Sequence, residues 1–333
     1  VGTGLPLAWF AGGGAWWSTG GACEAVSREF GLLVNNFLLT AATIVVLIGT
    51  FYPLGLEMVS GARITVGPPY FDATFNPIMG VLVLAMAFGP VMAWRRGTLP
   101  GLRLVASSAI VAALAAVLAG LALVTGISLA GLAGIGMIAW LGGGILADMV
   151  HRMRRTHHVG FGARLGAIQL PVWGMWCAHL GMVVFLLGAL GNGLFASEAV
   201  VRAKPGDVID LAGNEITFAG IEARQGPNYV TSTAMLDLRR DGQLLARLEP
   251  ENRLYTAERQ TTTEAAIRPR LSGDDYAVLG DGDAQMGYTL RLYHKPLVSW
   301  IWAGAGLMAL GGFLAAIGRA RRPQRIAELD APT

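Results

Sequence analysis

One histidine stands where ionisable side chains are rare. His179 lies within residues 173–181 of an apolar stretch, 168–190, that is long enough to cross a bilayer. At about 1.5 Å of rise per residue it lies roughly 16 Å from one end, near the middle of about 30 Å of hydrocarbon. Ionisable groups at this depth are costly and are candidates for function, and neutral imidazole is a common axial ligand of haem iron. The residues alone leave two interpretations open: a haem ligand, or a histidine hydrogen-bonded to a neighbouring helix.

The other four histidines have simpler expected roles. His157 and His158 lie in an arginine-rich connection and fit a solvated basic surface. His151 ends an apolar stretch, where a partly positive side chain favours the negative pole of a helix. His294 precedes Lys295-Pro296 beside the last apolar stretch. We expect it at the membrane interface, and a role with haem or substrate stays open.

Other polar features of the membrane part are ambiguous. Asn35 and Asn36 lie in the first long apolar stretch, where amides bond across helices more often than they bind a ligand. Residues 66–71 contain two prolines and two aromatic residues, which predicts either a rigid docking surface or a tight turn. Cys23 and Cys177 are expected at different levels, so we predict no disulfide. No triad, P-loop or carboxylate pair occurs, and catalytic residues stay unassigned.

The composition requires a membrane. Of the 333 residues, 53% are hydrophobic and 14% are charged, against about 25% charged residues in soluble proteins. Lipid must therefore cover part of the apolar surface. The net charge of +3 does not indicate a nucleic-acid partner, because the arginines cluster beside apolar stretches, where membrane orientation requires them.

Hydropathy predicts a polytopic α-helical membrane protein with six complete spans. They are residues 32–51, 77–94, 104–124, 129–150, 168–190 and 298–317. Residues 4–17 are too short to cross alone and predict a partial first span. We expect Val1 to be a cut point inside a longer protein, or the start of one part of a split gene.

The arginines predict the orientation of these spans. Three clusters fall on one face, which should be cytoplasmic: Arg95, Arg96 and Arg103; Arg152, Arg154, Arg155 and Arg164; and Arg319, Arg321, Arg322 and Arg325. Residues 52–76 then form an outer loop. Residues 1–195 form the helix bundle, 297–318 the last transmembrane helix, and 319–333 a cytoplasmic tail that we expect to be disordered after Arg325.

Residues 196–296 differ in kind from the rest. They are polar and alternate with the period of strands at 215–218, 235–238, 276–279 and 288–292. Asp241-Gly242 between two such runs is a hairpin signal. About 100 residues of this kind predict a small β-rich sandwich or barrel, extracytoplasmic and therefore periplasmic.

Eight stretches in order resemble the cytochrome c maturation protein F family (CcmF, with its relative NrfE). They are residues 27–36, 49–54, 65–71, 178–181, 226–229, 248–255, 263–267 and 291–302. The resemblance implies an integral haem lyase of the bacterial inner membrane. Its substrates would be haem from a haem chaperone and apocytochrome c, whose thiols add to the haem vinyl groups with help from a thiol-reducing subunit. It also implies a permanent b-type haem between two histidines, with quinol as a possible reductant, and His179 matches the second ligand.

The departures from the family's pattern indicate which part of the family this chain covers. Its Trp-Trp-Asp segment, the flanking periplasmic histidines and the first haem ligand are absent, and Trp16-Trp17 is not that segment. These parts belong to the family's N-terminal half. We therefore expect this chain to cover the C-terminal half and to need the other half as a partner. His294 replaces the family's usual aromatic residue before Lys-Pro, which weakens a ligand role there.

Two other functions stay open from the residues. A transporter of haem or another small molecule should show internal repeats and broken helices, and no repeat is visible here. A non-catalytic assembly scaffold should bind no haem at all.

Overall fold

The computed structural model describes residues 27–89, 92, 99–124, 126–155, 160–257 and 259–329. The chain forms two compact units. The first comprises Val1–Ala119 with Ala139–Ala167, and the second Gly120–Ile138 with Ile168–Thr333. The predicted partial span at 4–17 and Cys23 lie outside the described residues, as do His157 and His158.

Seven helices occur in the described part of the chain. They are α1 (Arg28–Ser60), α2 (Pro68–Met86), α3 (Leu99–Leu123), α4 (Leu129–Arg155), α5 (Phe161–Gly166), α6 (Leu170–Phe195) and α7 (Val298–Leu329). Five are long and apolar enough to cross a membrane: α1, α3, α4, α6 and α7. They overlap five of the six predicted spans. The sixth, 77–94, instead falls on α2 and on residues that are partly outside the description, so the count of six stays a prediction.

The predicted outer loop 52–76 is mostly helical. Helix α1 continues through Pro53 to Ser60 and ends at Gly61, whose φ of 71° is the left-handed conformation that favours glycine. Pro68 and Pro69 then open α2. Proline suits this first turn because it needs no N–H donor there and its φ is already helical. Only residues 61–67 connect the two helices, and the outer location of residues 52–76 stays a prediction.

The strands of the β domain run from Ser197 to Pro296. Its strands are β1 (Ser197–Ala203), β2 (Val208–Leu211), β3 (Asn214–Gln225), β4 (Tyr229–Arg240), β5 (Gln243–Leu248), β6 (Glu251–Tyr255), β7 (Gln260–Glu264), β8 (Ala266–Arg268), β9 (Gly273–Asp283) and β10 (Gly287–Pro296). They form two sheets, ordered β1-β10-β9-β8 and β2-β3-β4-β6-β7, with β5 also paired to β4. All the pairs between strands are antiparallel.

Alternating side chains of both sheets form the core of this domain. Phe218, Leu236, Leu279, Leu290 and Leu292 are buried there and belong to one cluster. Because successive side chains in a strand point to opposite faces, these residues lie on inner faces and leave polar residues outside. The predicted hairpin between β4 and β5 is confirmed, with both central residues at positive φ.

The last helix is longer than predicted. Helix α7 runs past 318 to Leu329, which corrects the expected disorder after Arg325. The helix passes through Pro323, which disfavours a helix interior, but arginine, alanine, glutamine, glutamate and leucine make up most of 319–329 and favour helix. Residues 330–333 lie outside the described residues.

Candidate functional site

His179 lies on α6, nine residues after its first residue Leu170. At the helical rise this is about 14 Å into the helix. The imidazole is partly buried. Its Nδ1 lies 2.8 Å from the carbonyl oxygen of Met175, one turn earlier. Because a carbonyl can only accept, Nδ1 carries the proton in this pair, and the in-plane lone pair of the neutral ring lies on Nε2.

This hydrogen bond suits a metal-ligating histidine. Such residues usually donate their other ring N–H to a carbonyl or carboxylate, which fixes the tautomer and ring orientation. The donor chemistry at His179 therefore fits an axial haem ligand through Nε2. In the described part of the chain no group of three or more His, Cys, Asp or Glu side chains could hold a metal ion.

Glycines fix the helix that carries His179. Gly174, Gly181 and Gly188 of α6 recur every seven residues and face α7, where Gly304, Gly311 and Gly318 recur at the same spacing. A Cβ at Gly181 would lie 2.6 Å from the backbone nitrogen of Met308. The two helices are therefore packed backbone to backbone, as small residues allow in membranes.

The positions of the glycines also show which side of α6 the His179 side chain projects from. It lies five residues after Gly174 and two before Gly181, which is about 140–160° around the helix from the glycine face. His179 therefore projects from the side of α6 that faces away from α7. Leu190, three turns later on the same side, packs on Gly134 of α4.

Aromatic and sulfur groups surround this part of α6. Trp176 is buried and meets Trp173 edge to face, with ring centroids 5.4 Å apart. The Cys177 thiol donates to the carbonyl of Leu307 on α7 at 3.5 Å. These contacts rigidify the backbone next to His179.

The loop at 66–71 does not display its aromatic rings. Tyr70 and Phe71 pack against Gly49 of α1, and the Tyr70 hydroxyl donates to the Val45 carbonyl at 2.9 Å. They join α1 to α2, which favours the structural interpretation over the docking surface. Asn35 donates only weakly, at 3.4 Å, to its neighbour Asn36.

His294 belongs to a buried charged cluster that the sequence did not reveal. Its Nδ1 lies 2.8 Å from Asp275, which also accepts from Arg270 at 2.7 Å. Arg268 completes the cluster at 3.6 Å. These residues come from three adjacent parts of one sheet, β8, β9 and β10, so sequence periodicity gave no sign that they meet.

The same region joins the β domain to α7. Ser299 donates to the Arg270 carbonyl at 3.0 Å, and the Trp300 indole donates to the Leu271 carbonyl at 2.9 Å. The turn between β8 and β9 is thereby tied to the first turn of α7. His294 therefore lies where the β domain is joined to α7.

A polar cleft of about 750 Å³ opens on the outer face of β9 and β10. Lys295 places its ammonium group over two neighbouring rings, 5.3 Å from the centroid of Tyr276 and 5.5 Å from that of Tyr293. Burial, followed by a hydrogen bond to Glu198, raises the pKa of Tyr293 above its usual value. The phenol therefore stays neutral at physiological pH and serves as a donor.

A buried carboxylate in α4 also escaped the sequence analysis. Asp148 is 1% exposed and accepts from Arg152 Nε at 2.8 and 3.0 Å. The spacing of four residues is typical of helical ion pairs and was the signal available in the sequence. His151 lies between them in sequence and lines a groove between α3 and α4.

Together these features define a class: a multi-helix membrane protein with a β-sandwich inserted before its last span. Residues 194–296 match the family model described as the CcmF C-terminal β-sandwich. The chain is 38% identical to the cytochrome c-type biogenesis protein CycK of Bradyrhizobium diazoefficiens over 92% of this chain and 47% of that protein. It is 38% identical to CcmF of Pseudomonas aeruginosa over 89% of this chain and 45% of that protein. The chain belongs to the CcmF family and corresponds to its C-terminal half.

A solved structure has the same fold. The structure of the cytochrome c haem lyase CcmF aligns with a TM-score of 0.67 and 22% identity, over 88% of this chain and 46% of that one. The chain thus spans about half the length of the curated relatives and of the structure that it matches.

Proposed function

We propose that this chain is part of a cytochrome c haem lyase in the bacterial inner membrane and that His179 ligates a b-type haem there. The observation that carries the ligand assignment is the hydrogen bond from Nδ1 of His179 to the Met175 carbonyl within a spanning helix. The names of the relatives, which are cytochrome c-type biogenesis proteins, support the reaction class. A haem held here would supply a one-electron redox centre inside the membrane.

The groups around His179 have separate roles in the proposed haem site. Nε2 of His179 would hold the haem iron, and the Met175 carbonyl keeps the proton on Nδ1. The glycine contacts with α7 hold the backbone of α6, which limits the freedom of the imidazole. The second axial ligand belongs, as we propose, to the part of the family that this chain does not cover.

The substrates and partners follow from the reaction class. We propose haem and apocytochrome c as substrates, joined when two thiols add to the haem vinyl groups. A haem chaperone and a thiol-reducing subunit act with the complex, and quinol is the proposed reductant. We assign the β domain to the periplasm and partner docking to its cleft over Tyr276 and Tyr293.

The test is a visible absorption spectrum of the protein co-expressed with the other half of the family's chain. Oxidised and dithionite-reduced samples of wild type, His179→Ala and the control His151→Ala are compared. We expect a b-type spectrum that is lost in His179→Ala and kept in His151→Ala. A spectrum that persists in His179→Ala would move the ligand elsewhere. A folded complex without haem would favour a scaffold or transporter.

A further inference from the structure

A tight turn of the β domain is fixed to the first turn of α7. It lies between β8 and β9, at residues 270–273, and is closed by a hydrogen bond from the Gly273 N–H to the Arg270 carbonyl at 3.2 Å. Three successive carbonyls of this turn accept hydrogen bonds from the start of α7: those of Arg270, Leu271 and Ser272. The distances are 3.0, 2.9 and 3.3 Å, and the donors are, in the same order, the Ser299 hydroxyl, the Trp300 indole and the backbone N–H of Leu297. The turn therefore lies level with the start of α7.

The start of α7 lies at the edge of the hydrocarbon. The part of α7 that is apolar enough to cross a membrane is Val298–Arg319, which has 22 residues and is about 33 Å long. A hydrocarbon core is about 30 Å thick, so the two ends of this segment lie close to the two membrane surfaces. Trp300 and Trp302 stand near its beginning, and tryptophan is enriched at the membrane–water interface. The turn at 270–273 therefore meets α7 at the boundary between lipid and water.

Leu271 presents an apolar side chain at this boundary. It is 80% exposed in the described part of the chain, whereas turns in water favour glycine, proline, asparagine, aspartate and serine. A single exposed leucine is common on protein surfaces and by its exposure alone indicates no partner. Here, however, the carbonyl of the same residue is held by Trp300, which keeps the side chain at the edge of the hydrocarbon. This position indicates lipid as the partner.

We propose that the turn at 270–273 is a membrane anchor, in which the Leu271 side chain lies among phospholipid acyl chains. Moving a leucine side chain from water into an apolar phase favours the contact by more than about tenfold. The hydrogen bonds from α7 already order the turn, so the contact with lipid requires little further ordering of the chain. The anchor follows from the fold of the chain and does not depend on the proposed lyase function.

The anchor also keeps the cleft of the β domain near the membrane. Strand β9 begins at Gly273, within the anchored turn, and Tyr276 of the cleft follows three residues later. Three residues of a strand span about 10 Å. A molecule bound over Tyr276 and its neighbour Tyr293 would therefore lie within about 10 Å of the anchored turn.

The test places a fluorescent label at either end of β9. The full chain, with Cys23→Ser and Cys177→Ser, is co-expressed with the other half of the family's chain and reconstituted into vesicles of phosphatidylethanolamine and phosphatidylglycerol. Leu271→Cys and Met286→Cys are each labelled with a nitrobenzoxadiazole fluorophore. Met286 is a matched control, because it is also apolar and exposed, in the turn between β9 and β10. It lies at the far end of a strand of 11 residues, about 33 Å from the proposed anchor.

Two quenchers distinguish lipid, water and protein around the label. Nitroxide-labelled phospholipid is mixed into the vesicles, and iodide is present in the water on both sides of the membrane. We expect the nitroxide lipid to quench the label at 271 and not the label at 286. Iodide should quench the label at 271 about tenfold less than the label at 286, the preference of a leucine-sized group for lipid. Ser272→Cys, also exposed in the turn, gives the same comparison if Leu271→Cys folds poorly.

Three results would overturn the anchor. Iodide quenching at 271 as strong as at 286 would place the turn in water. Protection of the label at 271 from both quenchers would show that protein, and not lipid, covers Leu271. Equal quenching of both labels by nitroxide lipid would show that the whole length of β9 lies on the membrane, so that the turn has no special role.

Discussion

Replacing Gly311 with alanine should separate α6 from α7, whereas the same change at the next residue, Gly312, should not. A Cβ at Gly311 would lie 2.8 Å from the Cα of Ala178, and an ordinary contact begins at 3.4 Å. The helices must therefore move apart by at least about 0.6 Å, since backbone atoms cannot turn aside. Overpacking of this kind costs about 1–3 kcal/mol. A Cβ at Gly312 meets nothing within 4 Å.

Cys177 reports this separation directly. Its thiol is partly buried and donates to the Leu307 carbonyl of α7. A maleimide can therefore react with it only when the two helices separate. In a Cys23→Ser background, Gly311→Ala should raise the labelling rate at least about fivefold, the effect of 1 kcal/mol on the opening equilibrium. Gly312→Ala should label like the parent, with a helix as stable or slightly more stable. Equal rates in the two variants would refute the packing that we describe.

Three further predictions concern the β domain and the first helices. Asp275→Asn should lower the free energy of unfolding by about 2 kcal/mol, because two partly buried arginines lose the buried carboxylate that they share. Chemical denaturation measures this. The hydrogen bond from Arg247 holds the pKa of Asp237 below its ordinary 3.8, so the pair stabilises the domain above that pH and the contribution is lost as the pH falls further. Asp237→Asn should therefore lose about 0.5–1 kcal/mol at pH 7 and show a flatter acid limb in denaturation curves. Pro68→Ala with Pro69→Ala should cost about 1–2 kcal/mol in thermal unfolding by loosening the unfolded chain, with cytochrome c maturation unchanged.

Exposed residues of the same type serve as controls. Asp281 lies on β9 like Asp275 but is exposed. Asp281→Asn should therefore leave the free energy of unfolding within about 0.5 kcal/mol of wild type. Asp210 is also exposed, and Asp210→Asn, the control for Asp237→Asn, should leave the acid limb of the denaturation curve as it is in wild type. A loss below 1 kcal/mol in Asp275→Asn would show that water replaces the carboxylate. Failed maturation in the double proline variant would restore the docking role of the loop.

Local sequence signals predicted those structural features that depend on a single segment of the chain. Alternation in residues 215–218 and 235–238 predicted β3 and β4, and the Asp241-Gly242 turn predicted the hairpin between β4 and β5, because each signal is local. The position of His179 along its helix was also predictable, because it follows from counting residues along a single apolar stretch. These calculations need no knowledge of neighbouring segments.

Features that depend on neighbouring segments were not predictable in the same way. Gly311 and Gly312 look alike in sequence, and only the packing of α6 distinguishes them. The first complete span was predicted to end at residue 51, yet α1 continues through Pro53 to Ser60. Asp275 meets Arg270 and His294 only once β8, β9 and β10 are paired.

The pairing of β1 with β10 has an architectural consequence. Ser197 and His294 are direct partners, so the first and last strands of the β domain leave it about 5 Å apart. The domain is therefore an insertion between α6 and α7. If it were removed, a short turn could join the two helices, as in an αα-hairpin. The glycine-packed helices would survive such an excision, and a different domain could be inserted between them without changing the order of the membrane helices.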